Sequence, residues 1–182
     1  MDEFSDEKLI EFFINSKEIN YFEELVRRHI GKIRAMIYPM VLNDADADEL
    51  TQEVFLKVVR NIDRFKGKSK FSTWLYKIAI NTVKSFWSKS SKSRIDNWAE
   101  PPEMLDWKLK PDTCLVESEL NNKITKALSS LSPVLRSAIT MTCINGLSIR
   151  EAADVSCCVT ATMYWRVHEA RRILKTKLLD QV

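Results

Sequence analysis

Apolar residues recur along this chain at three- and four-residue intervals, a pattern that predicts helices almost throughout. Leu9, Ile10, Phe12 and Phe13 mark a first helix, capped by Ser5 and ending near Asn15. Phe22, Leu25, Val26, His29, Ile30, Ile33 and Ile37 mark a second from about Asn20, which Pro39 should end or kink. A third starts at Asp44 or Asp46 and carries Leu50, Val54, Phe55, Val58 and Val59. The acids of its first turn suit the positive end of a helix dipole. Lys66–Lys70 reads as a loop, after which Ser72 or Thr73 begins a fourth helix. There Leu75, Ile78, Ala79, Thr82, Val83 and Phe86 face inward, and Trp74, Lys77, Asn81, Lys84, Ser85 and Ser88 fall opposite.

The last third carries clear punctuation. Leu120, Ile124, Ala127, Leu128 and Leu131 mark a helix near Ser118–Leu131. Ser132-Pro133 is a cap followed by a first-turn proline, opening a helix that ends before Gly146. Ser148-Ile149-Arg150-Glu151 is a capping box that starts a short helix to about Val155. A long helix follows from Thr160 to about Leu179, with Met163, Val167, Ala170 and Leu174 as its buried stripe. A short helix, a tight turn and a longer helix make a helix-turn-helix plan, whose second helix fits the major groove. Thr160, Thr162, Tyr164, Trp165 and His168 are the expected base readers, and Arg166, Arg171 and Arg172 suit phosphates. A plain helical hairpin with a basic surface is the alternative.

Charge sharpens this picture. The net charge of +3 divides into −7 over residues 1–56, +10 over 57–95, −5 over 96–119 and +5 over 120–182. From Arg64 to Ile95 there is no acid, and lysines and arginines alternate with Phe65, Phe71, Trp74, Tyr76, Phe86 and Trp87. Cations that track phosphates beside rings that stack bases are what unpaired nucleic acid requires. A lysine-rich face over an aromatic core is the plainer reading, and Trp74 and Trp87 fit either. Residues from Arg94 to Thr113 are acidic, hold three prolines, and place Trp98 and Trp107 without helical period, as in an extended linker that touches a partner. The expected fold is all-α: two small helical domains, 1–95 and 118–182, joined by an acidic linker over 96–117.

Cys114, Cys143, Cys157 and Cys158 form no C-x-x-C pair and have no histidine at ligand spacing, which argues against a zinc site. Whether Cys157 and Cys158 sense oxidation or simply pack is open. No nucleophile elbow, phosphate loop or His-x-x-x-His occurs, so neither a catalytic residue nor a cofactor is expected. Met1–Glu7 is acidic, unlike a signal peptide. Ala35–Leu42 is the longest apolar run and falls far short of a membrane span. A cytoplasmic protein without membrane insertion is expected.

The segments Asp44–Lys57, Phe65-Lys66-Gly67 and Phe71–Asn81 resemble region 2 of extracytoplasmic-function (ECF) sigma factors. Leu131-Ser132-Pro133 through Arg136, Asn145–Ala153, and Ala170-Arg171 before Leu174 resemble region 4 of the same family, nearest its envelope-stress type. The resemblance implies a transcription initiation factor that binds core RNA polymerase through the β′ clamp helices and β flap. It places Asp48, Glu49, Gln52, Glu53 and Phe55 on the clamp-docking helix. It places Lys66, Lys68, Ser69, Lys70, Phe71, Trp74, Lys77, Asn81 and Lys84 on the single-stranded −10 element, where the loop grips one flipped base. It assigns the helix-turn-helix to the −35 duplex and implies control by an anti-sigma protein. Where the family's turn usually has glycine this chain has Cys157 and Ala161, and Tyr164, Trp165 and Glu169 stand where arginine and serine are common. Those departures leave the promoter sequence open. Glu169 either accepts from a cytosine amine or weakens phosphate attraction. A stand-alone helix-turn-helix regulator and a single-strand binding module are the rival readings.

Overall fold

The computed structural model describes residues 4–96 and 123–179, with side chains over 4–89 and 123–177. Of the linker expected over 96–117, Asp96 is the last residue of the fourth helix; the rest, and the start of the helix expected from Ser118, lie outside the described residues. The first bundle contains α1 (Asp6–Ser16), α2 (Ile19–Val41), α3 (Asp44–Asn61), a 3-10 turn (Ile62–Arg64) and α4 (Phe71–Asp96). The second contains α5 (123–129), α6 (Pro133–Ile139), a π turn (Thr140–Ile144), α7 (Ile149–Ser156) and α8 (Thr160–Leu179).

Local chemistry sets most boundaries. Ser5 Oγ accepts from Lys8 N–H (3.3 Å), and Asn43 Oδ1 accepts from Asp46 N–H (2.9 Å), each occupying a donor that a helix start leaves unpaired. Pro39 does not end α2, which runs on to Val41 and stops at Leu42 in left-handed backbone (φ 58°). Lys17 (φ 59°) ends α1 the same way, and Cys157 (φ 55°) ends α7. The fourth helix begins at Phe71, one residue before the expected caps. The helix after Ser132-Pro133 is shorter than its periodicity predicts, because Thr140–Ile144 widens into a π turn.

α2 is the hub of the first bundle. Leu25, Ile33, Met36, Ile37 and Met40 are fully buried against α1, α3 and α4, whereas Ile30, expected inside, is exposed. In the second bundle α8 packs on α6 and α7 through Met163, Val167 and Ala170. The two bundles also touch. α7 packs on α4, and α2 packs on α6 and the π turn, so one hydrophobic cluster runs through both.

Candidate nucleic-acid interface

The expected −10 surface divides into rings that are anchored and cations that are free to reach out. Phe71 is 1% exposed; its ring meets His29 edge-on (5.3 Å between centroids) and Phe65 (5.7 Å). The expectation that Phe71 stacks on DNA is therefore corrected: the first residue of α4 is drawn inward by rings from α2 and the preceding loop. Trp74 is half-buried against Phe65 (5.5 Å) and Phe71 (5.9 Å). Lys66, Lys68, Ser69 and Lys70 are exposed on the loop that Gly67 turns through left-handed backbone (φ 66°). A side chain at Gly67 would meet nothing within 4 Å, so its backbone conformation, and not crowding, favours glycine there. Lys77 and Asn81 are exposed on the outer face of α4 as their spacing predicts. Lys84 lies on that face too, but its ammonium donates to the Ser156 carbonyl of α7 (3.0 Å).

On α3, Asp48, Glu49 and Gln52 are exposed and Glu53 is half-exposed. Phe55 is 7% exposed and belongs to the core, which corrects its expected place on a docking face. It falls on the inward stripe with Thr51, Val54 and Val58. Arg34 reaches from α2 to Asp48 (2.6 Å) and Asp44 (2.7 Å), and both carboxylates raise its guanidinium further above its usual range. Glu53 pairs with Lys57 (2.7 Å). Leu56, 54% exposed, was not among the expected docking residues. Its position one turn beyond Gln52 and two beyond Glu49 was the available signal: it is an apolar residue on an acidic stripe.

The helix-turn-helix is built by its cap and its turn. Ser148 N–H donates to Glu151 Oε2 (2.9 Å) while Glu151 N–H donates to Ser148 Oγ (3.2 Å), the reciprocal pair of a capping box. On α8, Thr160, Tyr164, Trp165, His168, Arg171 and Arg172 are exposed, and Thr162 and Arg166 are half-buried. Tyr164 and Trp165 show 66% and 60% of their surface, a large commitment of ring to solvent. Val159, just before α8, is 68% exposed and joins this face; the hydrophobic pattern gave no reason to single it out. Arg172 makes a forked pair with Glu169 (2.8 and 2.6 Å), which holds that carboxyl below its usual range. Arg171 donates to Cys143 Sγ (3.3 Å) and Arg166 to Cys158 Sγ (3.7 Å). Glu169 is thus engaged by its own helix, and Arg171 carries the less neutralised charge. Among the described residues, no helix is long and apolar enough to cross a membrane.

Comparison with known proteins gives this geometry its setting. Residues 25–93, from the middle of α2 through most of α4, match the family description Sigma-70 region 2. The chain is 29% identical to the ECF RNA polymerase sigma-E factor of Haemophilus influenzae, over 97% of each. It is also 29% identical to the sigma-E factor of Escherichia coli strain K12, over 97% of this chain and 96% of that one. A solved structure of the sigma factor RpoE with the anti-sigma factor NepR, from Bartonella quintana, superposes with a TM-score of 0.72 at 25% identity. That match covers 86% of this chain and 96% of the other. CnrH, solved with the cytosolic domain of CnrY, shares the fold at a TM-score of 0.69 and 21% identity, over 97% and 99% of the chains. A region 2 match on α2–α4, sigma-E relatives aligned almost end to end, and a capped helix-turn-helix beyond the matched region make the chain similar along nearly its whole length to ECF members of the sigma-70 family.

Proposed function

We propose that this chain is a promoter-specificity factor with three working surfaces. The acidic stripe of α3, Glu49, Gln52 and Glu53 around Leu56, docks on the β′ clamp helices of core RNA polymerase. An anionic helix is repelled by DNA, which favours a protein partner for it. Lys66, Lys68, Ser69 and Lys70 of the loop, with Trp74, Lys77, Asn81 and Lys84 of α4, hold the unpaired −10 strand. Captured bases offset the few kcal/mol that opening the first pairs costs. α8 reads the −35 duplex through Thr160, Tyr164, Trp165 and His168, with Thr162 at the helix start and Arg166, Arg171 and Arg172 toward phosphates. The second bundle meets the β flap, and residues 1–95 and 118–182 act as separate units joined over 96–117.

Catalysis belongs to the polymerase, and the factor works in the cytoplasm beside it. RpoE of Bartonella quintana was solved with an anti-sigma factor, which supports a protein inhibitor as a partner here as well.

The observation that carries this reading is one chain combining a cationic helix, α4, that holds no acid before its last residue, with a capped helix-turn-helix whose outer rings face solvent. The test is capture by core polymerase followed by run-off transcription from a promoter library. The chain should bind core and start transcripts at defined sites, and Leu56→Asp should weaken core binding by about tenfold or more, as for a central interface residue. Failure to bind core overturns the proposal whatever the DNA data show.

A further inference from the structure

We propose that α8 reads thymine: Tyr164 and Trp165 select adenine·thymine pairs in the −35 duplex by apolar contact with the thymine C5-methyl group. This rests on the assignment of α8 to that duplex and names the base which the assignment left open. In a helix-turn-helix, the N-terminal residues of the second helix reach the base edges. With about 3.6 residues per turn, Ala161, Tyr164, Trp165, His168, Arg171 and Arg172 form one outward band on α8, and all six are exposed. The end of the band that enters the groove holds a methyl, two rings and an imidazole. Its first guanidiniums stand about 10 and 12 Å beyond Tyr164 along the axis.

Those guanidiniums are also engaged. Arg171 donates to Cys143 Sγ (3.3 Å), and Arg172 is forked onto Glu169 (2.8 and 2.6 Å). Arg166 lies nearer the start of α8, but it sits on the flank, half-buried, and donates to Cys158 Sγ (3.7 Å). Guanine is most often read by an arginine or lysine forked onto O6 and N7, and adenine by an asparagine or glutamine. None of these four side chains stands on the outward band before Arg171. What the band offers there is apolar surface. In the major groove the thymine methyl is the apolar group that tells one base from another.

The tip of the helix is built the same way. Val159 precedes α8, and its carbonyl accepts the Met163 N–H (3.2 Å), so it holds the cap position. Caps favour Ser, Thr, Asp or Asn, whose side-chain oxygen occupies a free amide, and valine is among the poorest choices. Val159 is 68% exposed, so the core does not use it either. Tyr164 and Trp165 show 66% and 60% of their surface, and apolar surface committed to solvent on this scale marks an interaction site. Charge selects the occupant. Arg171, Arg172, Lys175 and Lys177 are exposed along the rest of α8, a cationic surround that suits the phosphates on either side of a groove.

The test uses the full chain on core polymerase and a promoter library randomised over the −35 element. Enriched elements should be rich in thymine on one strand or the other. Each thymine of the enriched duplex is then exchanged for deoxyuridine, which keeps the Watson–Crick pair and removes only the C5-methyl. Loss of a contacted methyl should weaken competition binding by about fourfold, the worth of one methyl-sized group returned to water. Tyr164→Ala or Trp165→Ala should erase that difference at the position its ring covers, so that the variant binds the two duplexes equally. Arg171→Ala is the control: loss of a phosphate contact should lower affinity for both duplexes and leave their ratio unchanged. An enriched element without thymine, uracil tolerated at every position, or a methyl effect that survives both ring substitutions would each overturn the proposal. A library that yields no preferred −35 sequence at all defeats the assignment of α8 to the duplex, and thymine reading with it. An enriched element indifferent to uracil defeats thymine reading alone.

Discussion

α4 and α8 are similar in composition and opposite in construction. Both mix cations with large rings, and both bury one apolar stripe. On α4 the rings turn inward: Phe71 is 1% exposed, and Trp74 leans on Phe65 and Phe71. On α8 they turn outward, with Tyr164 and Trp165 more than half exposed. The neighbours account for the difference. α4 is held by α2, α3 and α7, while among the described residues α8 packs mainly on α6 and α7, and its far side is exposed. A flat duplex groove can be read by rings standing on a helix, whereas an extruded strand must be gripped by flexible cations around a firm base.

The strongest way to break this contrast is to remove the ring that α4 hides. Phe71→Ala should destabilise the fold by about 3–5 kcal/mol, read as a lower urea midpoint, because it empties a site packed by His29, Phe65 and Trp74. If the midpoint barely moves, Phe71 is not structural and its original assignment to DNA returns. Trp165→Ala should behave in the opposite way, with folding stability within ~0.5 kcal/mol of wild type. In a promoter library it should shift −35 preference by about 1–3 kcal/mol at the base pair it contacts. Unchanged selectivity would make the exposed ring of α8 a bystander. The smallest effect separates the bundles by acid. Glu24, buried in the first bundle between Arg27 and Arg28, has its carboxyl lowered from 4.5 to about 2 by hydrogen bonds from those two guanidiniums. Its stabilisation is complete above pH 4.5 and is lost as pH falls toward 2. Glu24→Gln should therefore show a shallower fall in melting temperature than wild type across that window; parallel curves would remove Glu24 from the account.

What was legible in the sequence was local. The Ser148–Glu151 box, the bounds of α8 and the outer face of α4 depend on residues three or four apart, and all three are found in the structure as read, save that Trp74 leans in from the outer face of α4. What escaped depends on partners far along the chain. Phe71 is buried by His29, 42 positions earlier, and no spacing within α4 announces that ring. Phe55 sits among acids in the sequence, although Thr51, Val54 and Val58 share its inward stripe. Leu56 belongs neither to the apolar stripe nor to the acidic set read from the sequence, and it stands exposed beside the acids. The contacts of Arg136 with Met40 and of Lys84 with Ser156 join positions 96 and 72 residues apart, and nothing in the periodicity of either helix foretells them. Surface faces can be read from period; which face is already occupied cannot.

Among the described residues, three corners pass through left-handed backbone without glycine, at Lys17, Leu42 and Cys157. A side chain in that conformation costs roughly 1–2 kcal/mol, because its Cβ crowds the following carbonyl oxygen. Leu42 has the core to hold it, but Lys17 and Cys157 are exposed and receive no such return. The scaffold therefore carries latent slack at two hinges between helices. An engineer seeking a hardier version could take it up with glycine at either one and leave every DNA-facing and polymerase-facing side chain untouched.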